Sequence, residues 1–178
     1  ANLLKRSGFN TTLISGPTQL DSIKGVNTIN INSAKEMFDA VIENLPVDVA
    51  IFSAAVADFK VKDISDTKIK NKENYNLSLE KNIDILKHVS NHNSLRPKLV
   101  IGFSAETNDI IENSQKKINE KNCDWLIAND VSNQEIGFDS DFNEVSILYK
   151  NGEIEKISKD KKSVIANKIV KKIVSNLE

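Results

Sequence analysis

Three short apolar runs constrain this chain most: Val49-Ala50-Ile51-Phe52, Leu99-Val100-Ile101 and Trp125-Leu126-Ile127. None alternates with polar residues, and each is too short for a helix. Such runs are expected to be strands buried on both faces, as in a parallel sheet covered by helices. Each then passes into small residues and a carboxylate or amide. The first continues as Ser53-Ala54-Ala55-Val56-Ala57-Asp58, the second spans Leu99–Thr107 (LVIGFSAET), and the third spans Trp125–Val131 (WLIANDV). Small side chains let a ligand approach the backbone at a strand end. A carboxylate there can take a sugar hydroxyl or a metal-bound phosphate. Open α/β sheets bind ligands at the carboxyl edge of their strands, so the repeated design points to a site there. The plainer alternative is three core strands followed by polar loops.

At 178 residues the chain suffices for one domain with a full core. Hydrophobic residues make up 39% and the net charge is −1, which gives no electrostatic case for nucleic acid or an anionic membrane as partner. No apolar run approaches the ~20 residues of a membrane span. The one cysteine, Cys123, excludes an internal disulfide and suits a reducing cytoplasm. Lying just before a buried strand, it reads as an inert thiol and not as a nucleophile.

The opening ANLLKRSG reads as the second half of a helix closed by Gly8, before a strand over Asn10–Ser15 and the turn Ser15-Gly16-Pro17. A helix feeding a parallel strand ordinarily follows another strand. A strand, a loop and a half-helix are therefore expected ahead of Ala1, the loop being the usual Gly-rich phosphate cradle. A short strand over Val26–Ile31 follows, and Ser33-Ala34-Lys35-Glu36 is a capping box for a helix to about Asn44. The stripe of Met37, Phe38 and Val41 on that helix reads as core packing.

Phe59–Tyr75 is lysine-rich without a sustained apolar period. It reads either as a solvated loop or as a mobile flap whose lysines close over an anion bound near Asp58. Asn76–Glu80 is expected to be an edge strand. Asn82 is the expected N-cap of the next helix, whose start could receive phosphate or simply be a helix start. His88 and His92 lie one helical turn apart without the glutamate or third ligand of a zinc site, so no metal is assigned to them. After a strand over Lys98–Phe103, a helix over Asn108–Glu120 carries Lys117, with Lys121 one turn on. Asp139, Asp141 and Asn143 imitate the opening of a calcium loop, but Glu144 stands where glycine is required and Lys150 where the bidentate glutamate belongs. Val145–Tyr149 and Ile154–Ile157 flank Asn151-Gly152, the strongest hairpin signal in the chain. Such a hairpin often becomes an edge or a dimer contact. Ser158 is the expected cap of a last helix burying Ile165, Ile169, Ile173 and Leu177.

Taken together, Ser15-Gly16-Pro17, Ala54–Asp58, Lys68-Ile69-Lys70, Lys81-Asn82 with Asp84-Ile85, Gly102-Phe103, Ala105–Asn108, Ala128–Val131 and Gly137-Phe138 with Ser140, Asp141 and Asn143 resemble the phosphopantothenoylcysteine synthetase family. The ordered set spans about residues 8 to 178 and is far more specific than any one fragment. The resemblance implies a Rossmann-like, three-layer α/β domain with a mostly parallel sheet. It also implies an added antiparallel hairpin used for dimerisation. The implied reaction belongs to coenzyme A biosynthesis: CTP-dependent ligation of 4′-phosphopantothenate to cysteine, with magnesium, through an acyl-cytidylate. In that chemistry, charge neutralisation along a triphosphate and positioning do the catalysis.

The roles implied are as follows. Phe52, Ser53, Ala54 and Ala55 line the nucleotide, and Asp58 serves its ribose or metal side. Lys68, the one catalytic assignment, holds the nucleotide from the flap. Ile83, Asp84, Ile85 and Leu86 offer a helix start to phosphates, and Phe103 contacts the nucleotide near the strand end. Lys117 and Lys121 also match nucleotide-contact positions, although a helix of that length carries them ~15 Å from the strand edge. The family's flap motif is usually Lys-x-Lys-Lys; here Asn71 follows Lys70 and Lys72 comes next. The resemblance places the Gly-rich segment needed for turnover before Ala1, so this stretch is expected to keep much of the nucleotide site without completing the reaction. An FMN-dependent decarboxylase domain is expected further ahead. Two other classes stay open on the residues alone: a Rossmann-like module binding a dinucleotide such as NAD, and a dimerisation or scaffold domain that binds nothing.

Overall fold

A computed structural model of the chain describes residues 1–63, 65, 67, 76–106, 109–130 and 140–178. Its centre is a five-stranded mixed sheet in the order β3-β6-β7-β8-β9. The strands are β3 (Val49–Phe52), β6 (Leu99–Glu106), β7 (Trp125–Asp130), β8 (Phe142–Tyr149) and β9 (Ile154–Lys161). β3, β6 and β7 are parallel neighbours, as their apolar runs predict. β8 and β9 add an antiparallel hairpin around Asn151-Gly152, where Gly152 takes a φ of +91° that a side chain would resist. A parallel pair, β1 (Thr12–Ser15) with β2 (Asn27–Asn30), and an antiparallel pair, β4 (Phe59–Val61) with β5 (Leu79–Lys81), form separate two-stranded sheets.

Helices cover both faces of the central sheet, giving the expected α/β layering. On one face α5 (Lys162–Leu177) lays Ile165, Ile169 and Ile173 over Ile101, Ile127 and Ile147, with Leu4 of α1 (Asn2–Arg6) and Leu177 at the margin. On the other, α4 (Ile110–Lys121) packs Ile118 and Ile110 against Val100, Leu126, Ala128 and Leu148, joined by Leu86 of α3 (Ile85–Ser90). α2 (Ala34–Glu43) starts at the predicted capping box: Ser33 Oγ accepts from the Glu36 N–H at 3.2 Å, and Glu36 reaches back to the Asn32 N–H at 3.0 Å.

Several expectations need correction. β3 is an edge strand with Ile51 36% exposed, and the doubly buried position belongs to β6 and β7. The segment opening at Phe59 begins as strand β4, because Phe59-Lys60-Val61 pairs with Leu79–Lys81; β5 accordingly starts later than expected. Ser158 does not cap α5. It lies within β9, which keeps pairing with β8 as far as Lys161, the residue before the helix. His92 Nδ1 accepts from the Leu95 N–H at 3.1 Å, and His88 stands edge-on to Phe38 with centroids 4.9 Å apart. The two rings thus serve a turn and a packing contact.

A polar junction at Glu155 ties the sheet to α5. Tyr149 packs edge-on against Trp125 with centroids 5.4 Å apart, its hydroxyl donates to Glu155 at 3.1 Å, and Lys172 of α5 pairs with the same Glu155 oxygen at 2.6 Å. Burial, then the hydrogen bond to Glu155, then the charges of Glu155 and Glu153 push the Tyr149 phenol up from 10 to about 12. The folded chain therefore holds the phenolic proton more tightly than the unfolded chain. Its contribution is full below pH 10 and is lost as pH rises through about 12. Tyr149→Phe is expected to flatten this alkaline loss, read as urea midpoints of both proteins from pH 9 upward.

Candidate functional site

The carboxyl ends of β3, β6 and β7 lie on one edge of the sheet, as predicted, but they are not level. Phe52 pairs with Gly102, whereas β6 and β7 run on together to the pair Glu106 and Asp130. β3 thus stops four residues short, a step of ~13 Å at the rise of a strand. The small-residue segment leaves the sheet at this step. Ser53, Ala54, Ala55 and Asp58 are all exposed there, with Val56 half-buried between them.

Phe52 and Leu86 both pack against the core cluster beneath the step. Gly102 makes room for Leu86: a Cβ on it would lie 2.7 Å from Leu86 Cδ2 and 3.0 Å from Leu126 Cδ1. Absence of a side chain at Gly102 therefore lets α3 settle onto β6. Cys123 lies 3.7 Å from the same point, fully buried, and burial pushes its thiol up to about 11. That is the inert thiol the sequence suggests. Phe103, by alternation, points to the opposite face and packs against the α5 side of the core. The two aromatic residues predicted to line one nucleotide therefore stand on different sides of the sheet.

The start of α3 differs from expectation. Its N-cap is Asp84, whose Oδ1 accepts from the Lys87 N–H at 3.0 Å, and not Asn82. Both residues are good cap types, so local pattern alone does not choose between them. Ile85 is buried beneath the helix and Ile83 is more than half exposed. Lys121, reaching across from the end of α4, pairs with the second oxygen of Asp84. The distance along α4 that separates Lys121 from the strand edge is thus bridged by α3 lying alongside. Lys117 is half-buried one turn earlier on α4.

Asn82, released from capping, ties the small-residue segment instead. Its side-chain amide donates to the Ala57 carbonyl at 2.8 Å, and its backbone N–H donates to the Asp58 carbonyl at 2.8 Å. The structure thereby brings together Phe52, Asp58, Asp84, Leu86 and Lys121 around the α3 start, and leaves Phe103 on the other face. Lys68, with Ile69, Lys70, Asn71 and Lys72, lies outside the described residues, as do Thr107, Asn108, Val131, Gly137, Phe138 and Asp139. Among the described residues no three His, Cys, Asp or Glu side chains gather as a metal cage. No described helix is long and apolar enough to cross a membrane.

The family of DNA/pantothenate metabolism flavoprotein C-terminal domains matches residues 1–177. The coenzyme A biosynthesis bifunctional protein CoaBC of Vibrio vulnificus is 38% identical over 170 residues, covering 93% of this chain and 42% of that protein. CoaBC of Haemophilus influenzae is 36% identical over 180 residues, covering 100% of this chain and 44% of that protein. The chain thus spans less than half the length of these relatives. The crystal structure of a C-terminal domain of CoaBC superposes with a TM-score of 0.79 at 33% identity, covering 99% of this chain and 79% of the other.

Proposed function

The chain belongs to the DNA/pantothenate metabolism flavoprotein C-terminal domain family, and from that premise we propose that it supplies the nucleotide site for the phosphopantothenoylcysteine synthetase step of coenzyme A biosynthesis in the cytoplasm. CTP is the activating substrate. The carboxylate of 4′-phosphopantothenate attacks the α-phosphate of CTP, the bond to the β-phosphate breaks, and pyrophosphate leaves. The amine of cysteine then attacks the acyl-cytidylate, CMP leaves, and the amide forms with loss of a proton from nitrogen. The observation that carries this reading is the exposed segment Ser53–Asp58 at the carboxyl end of β3. There an uncrowded backbone and an exposed carboxylate stand ready for a nucleotide.

The parts divide as follows. Phe52, Ser53, Ala54 and Ala55 receive the nucleoside, and Asp58 faces the ribose or the metal-bound phosphates. Ile83–Leu86 and Lys117 and Lys121 supply the surround on the α3 and α4 side. Lys68 is the proposed catalytic cation. Magnesium neutralises phosphate charge when bound. With no cage of three acidic or histidine ligands among the described residues, the donor set suits an ion held through the triphosphate, with Asp58 on the protein side. The FMN-dependent decarboxylase activity is proposed for the remainder of the full-length protein.

A homodimer is part of the proposal. The expected contact was the hairpin of β8 and β9. The described apolar exposure concentrates instead on the β4–β5 pair and its flanks, where Phe59, Leu77, Leu79 and Ile83 are each more than half exposed. That pair is the better candidate for the added strands through which two subunits meet.

The test is calorimetric titration with CTP, ATP and NAD, each with magnesium. CTP is expected to bind, ATP at least about tenfold more weakly, a difference of ~1.4 kcal/mol, and NAD without detectable heat. A preference for NAD would replace this reading with the dinucleotide-binding module.

A further inference from the structure

We propose that Asn82 is the positioning residue for Asp58, holding the backbone from which its carboxylate reaches into the nucleotide site. The inference rests on the assignment of Asp58 to that site and goes beyond it. The Ala57 carbonyl belongs to the peptide plane before the Asp58 Cα, and the Asp58 carbonyl belongs to the plane after it. Asn82 bonds to both, at 2.8 Å each, one through its side-chain amide and one through its backbone N–H. Peptide planes are rigid, so the two torsions at Asp58 are the only soft backbone freedoms between them. Pinning both planes fixes both torsions.

The backbone bond continues the β4–β5 register by one pair, so the side-chain bond to the Ala57 carbonyl is the part that depends on the asparagine itself. The β4–β5 pairing begins one residue later, at Phe59 opposite Lys81. On the other side, Ser53–Ala57 is outside any strand and its residues are largely exposed. Asp58 therefore sits at the hinge between an unpaired segment and a short two-stranded sheet. A side chain there would otherwise sample several directions. Asn82 is suited to the task because its amide donates without adding charge beside a carboxylate that must meet a magnesium-bound phosphate or a ribose. It stands two residues before Asp84, so the cap of α3, the Lys121 pair and the Asp58 clamp lie on one short stretch of chain.

The experiment is a double-mutant cycle on the whole chain, read by titration with magnesium-CTP. Asn82→Ala removes the donor, and Asn82→Leu keeps the bulk while removing the donor without adding charge; each is combined with Asp58→Asn. With Asp58 present, either change at Asn82 is expected to weaken CTP about tenfold. With Asp58→Asn, the same change is expected to cost less than about twofold, because the group being positioned is already gone. A merely structural Asn82 costs the same in both backgrounds, and that additivity, or an unchanged affinity, overturns the proposal. A second readout needs no ligand. In Asn82→Ala the backbone order parameters of Asp58 and Phe59 are expected to fall from about 0.85 to below about 0.6. If the unaltered chain takes up no CTP, the synthetase reading fails, and the order parameters alone decide: a fall upholds Asn82 as the clamp on Asp58, and unchanged order rejects it.

Discussion

Ile127→Ala is expected to lower the stability of this chain by about 2–5 kcal/mol, while Ile51→Ala costs less than about 1 kcal/mol. The two isoleucines sit in apolar runs that look alike in the sequence. Ile127 lies in the middle strand β7, between β6 and β8, with no exposed surface and with α5 packed above it. Removing its outer carbons leaves a cavity that strands paired on both sides cannot close. Ile51 lies on the edge strand β3 and keeps 36% of its surface in water. It has less to lose, and solvent fills what is removed. Urea unfolding of both variants, compared at constant m-value, measures the difference. Equal losses would mean that β3 is covered on its open side.

Asp124→Ala is expected to cost about 2–3 kcal/mol, placed below the range for fully buried pairs because the pair retains about a quarter of its exposure. One carboxylate does two jobs at the lower edge of the sheet. Its Oδ1 accepts from Arg96 Nη2 at 2.9 Å, and its Oδ2 accepts from the N–H of fully buried Val100 at 2.7 Å. Arg96 in turn donates to the carbonyls of Ser90, Pro97 and Asn122, so α3, α4, β6 and β7 converge on this pair. Removing the carboxylate strands a buried N–H and leaves the guanidinium without its charge partner. Asp124→Asn keeps one acceptor and is expected to lose about half as much. A loss below about 0.5 kcal/mol for the alanine variant, again from urea unfolding, would show that water replaces both bonds.

Much of the fold was legible because its signals are local. Ser33 and Glu36 cap α2 as their spacing predicts, since both bonds of the box close within four residues. Asn151-Gly152 turns the hairpin, and the four-residue spacing of Ile165, Ile169 and Ile173 faces α5 toward the sheet. The ordered motifs also carried the family, whose model spans residues 1–177. The candidate site was legible as a set of residues on strand ends. Its internal arrangement was not.

What the sequence by itself determined is therefore which segments form strands and helices, which ends of the parallel strands carry small residues and carboxylates, and which family the chain joins. Periodicity, caps and turns act within a few residues and need no distant partner. Only the tertiary structure decided that β3 is an edge and ends a step below β6. It also decided that Phe103 faces away from Phe52, that Lys121 reaches Asp84 across 37 positions, and that Asn82 holds Asp58 in place of capping α3. The physical reason is the same throughout. Asn82 and Asp84 have equal local fitness as caps, and VAIF and WLI are equally apolar. The choice between them falls to which groups packing brings within hydrogen-bond reach, and that depends on the whole sheet at once.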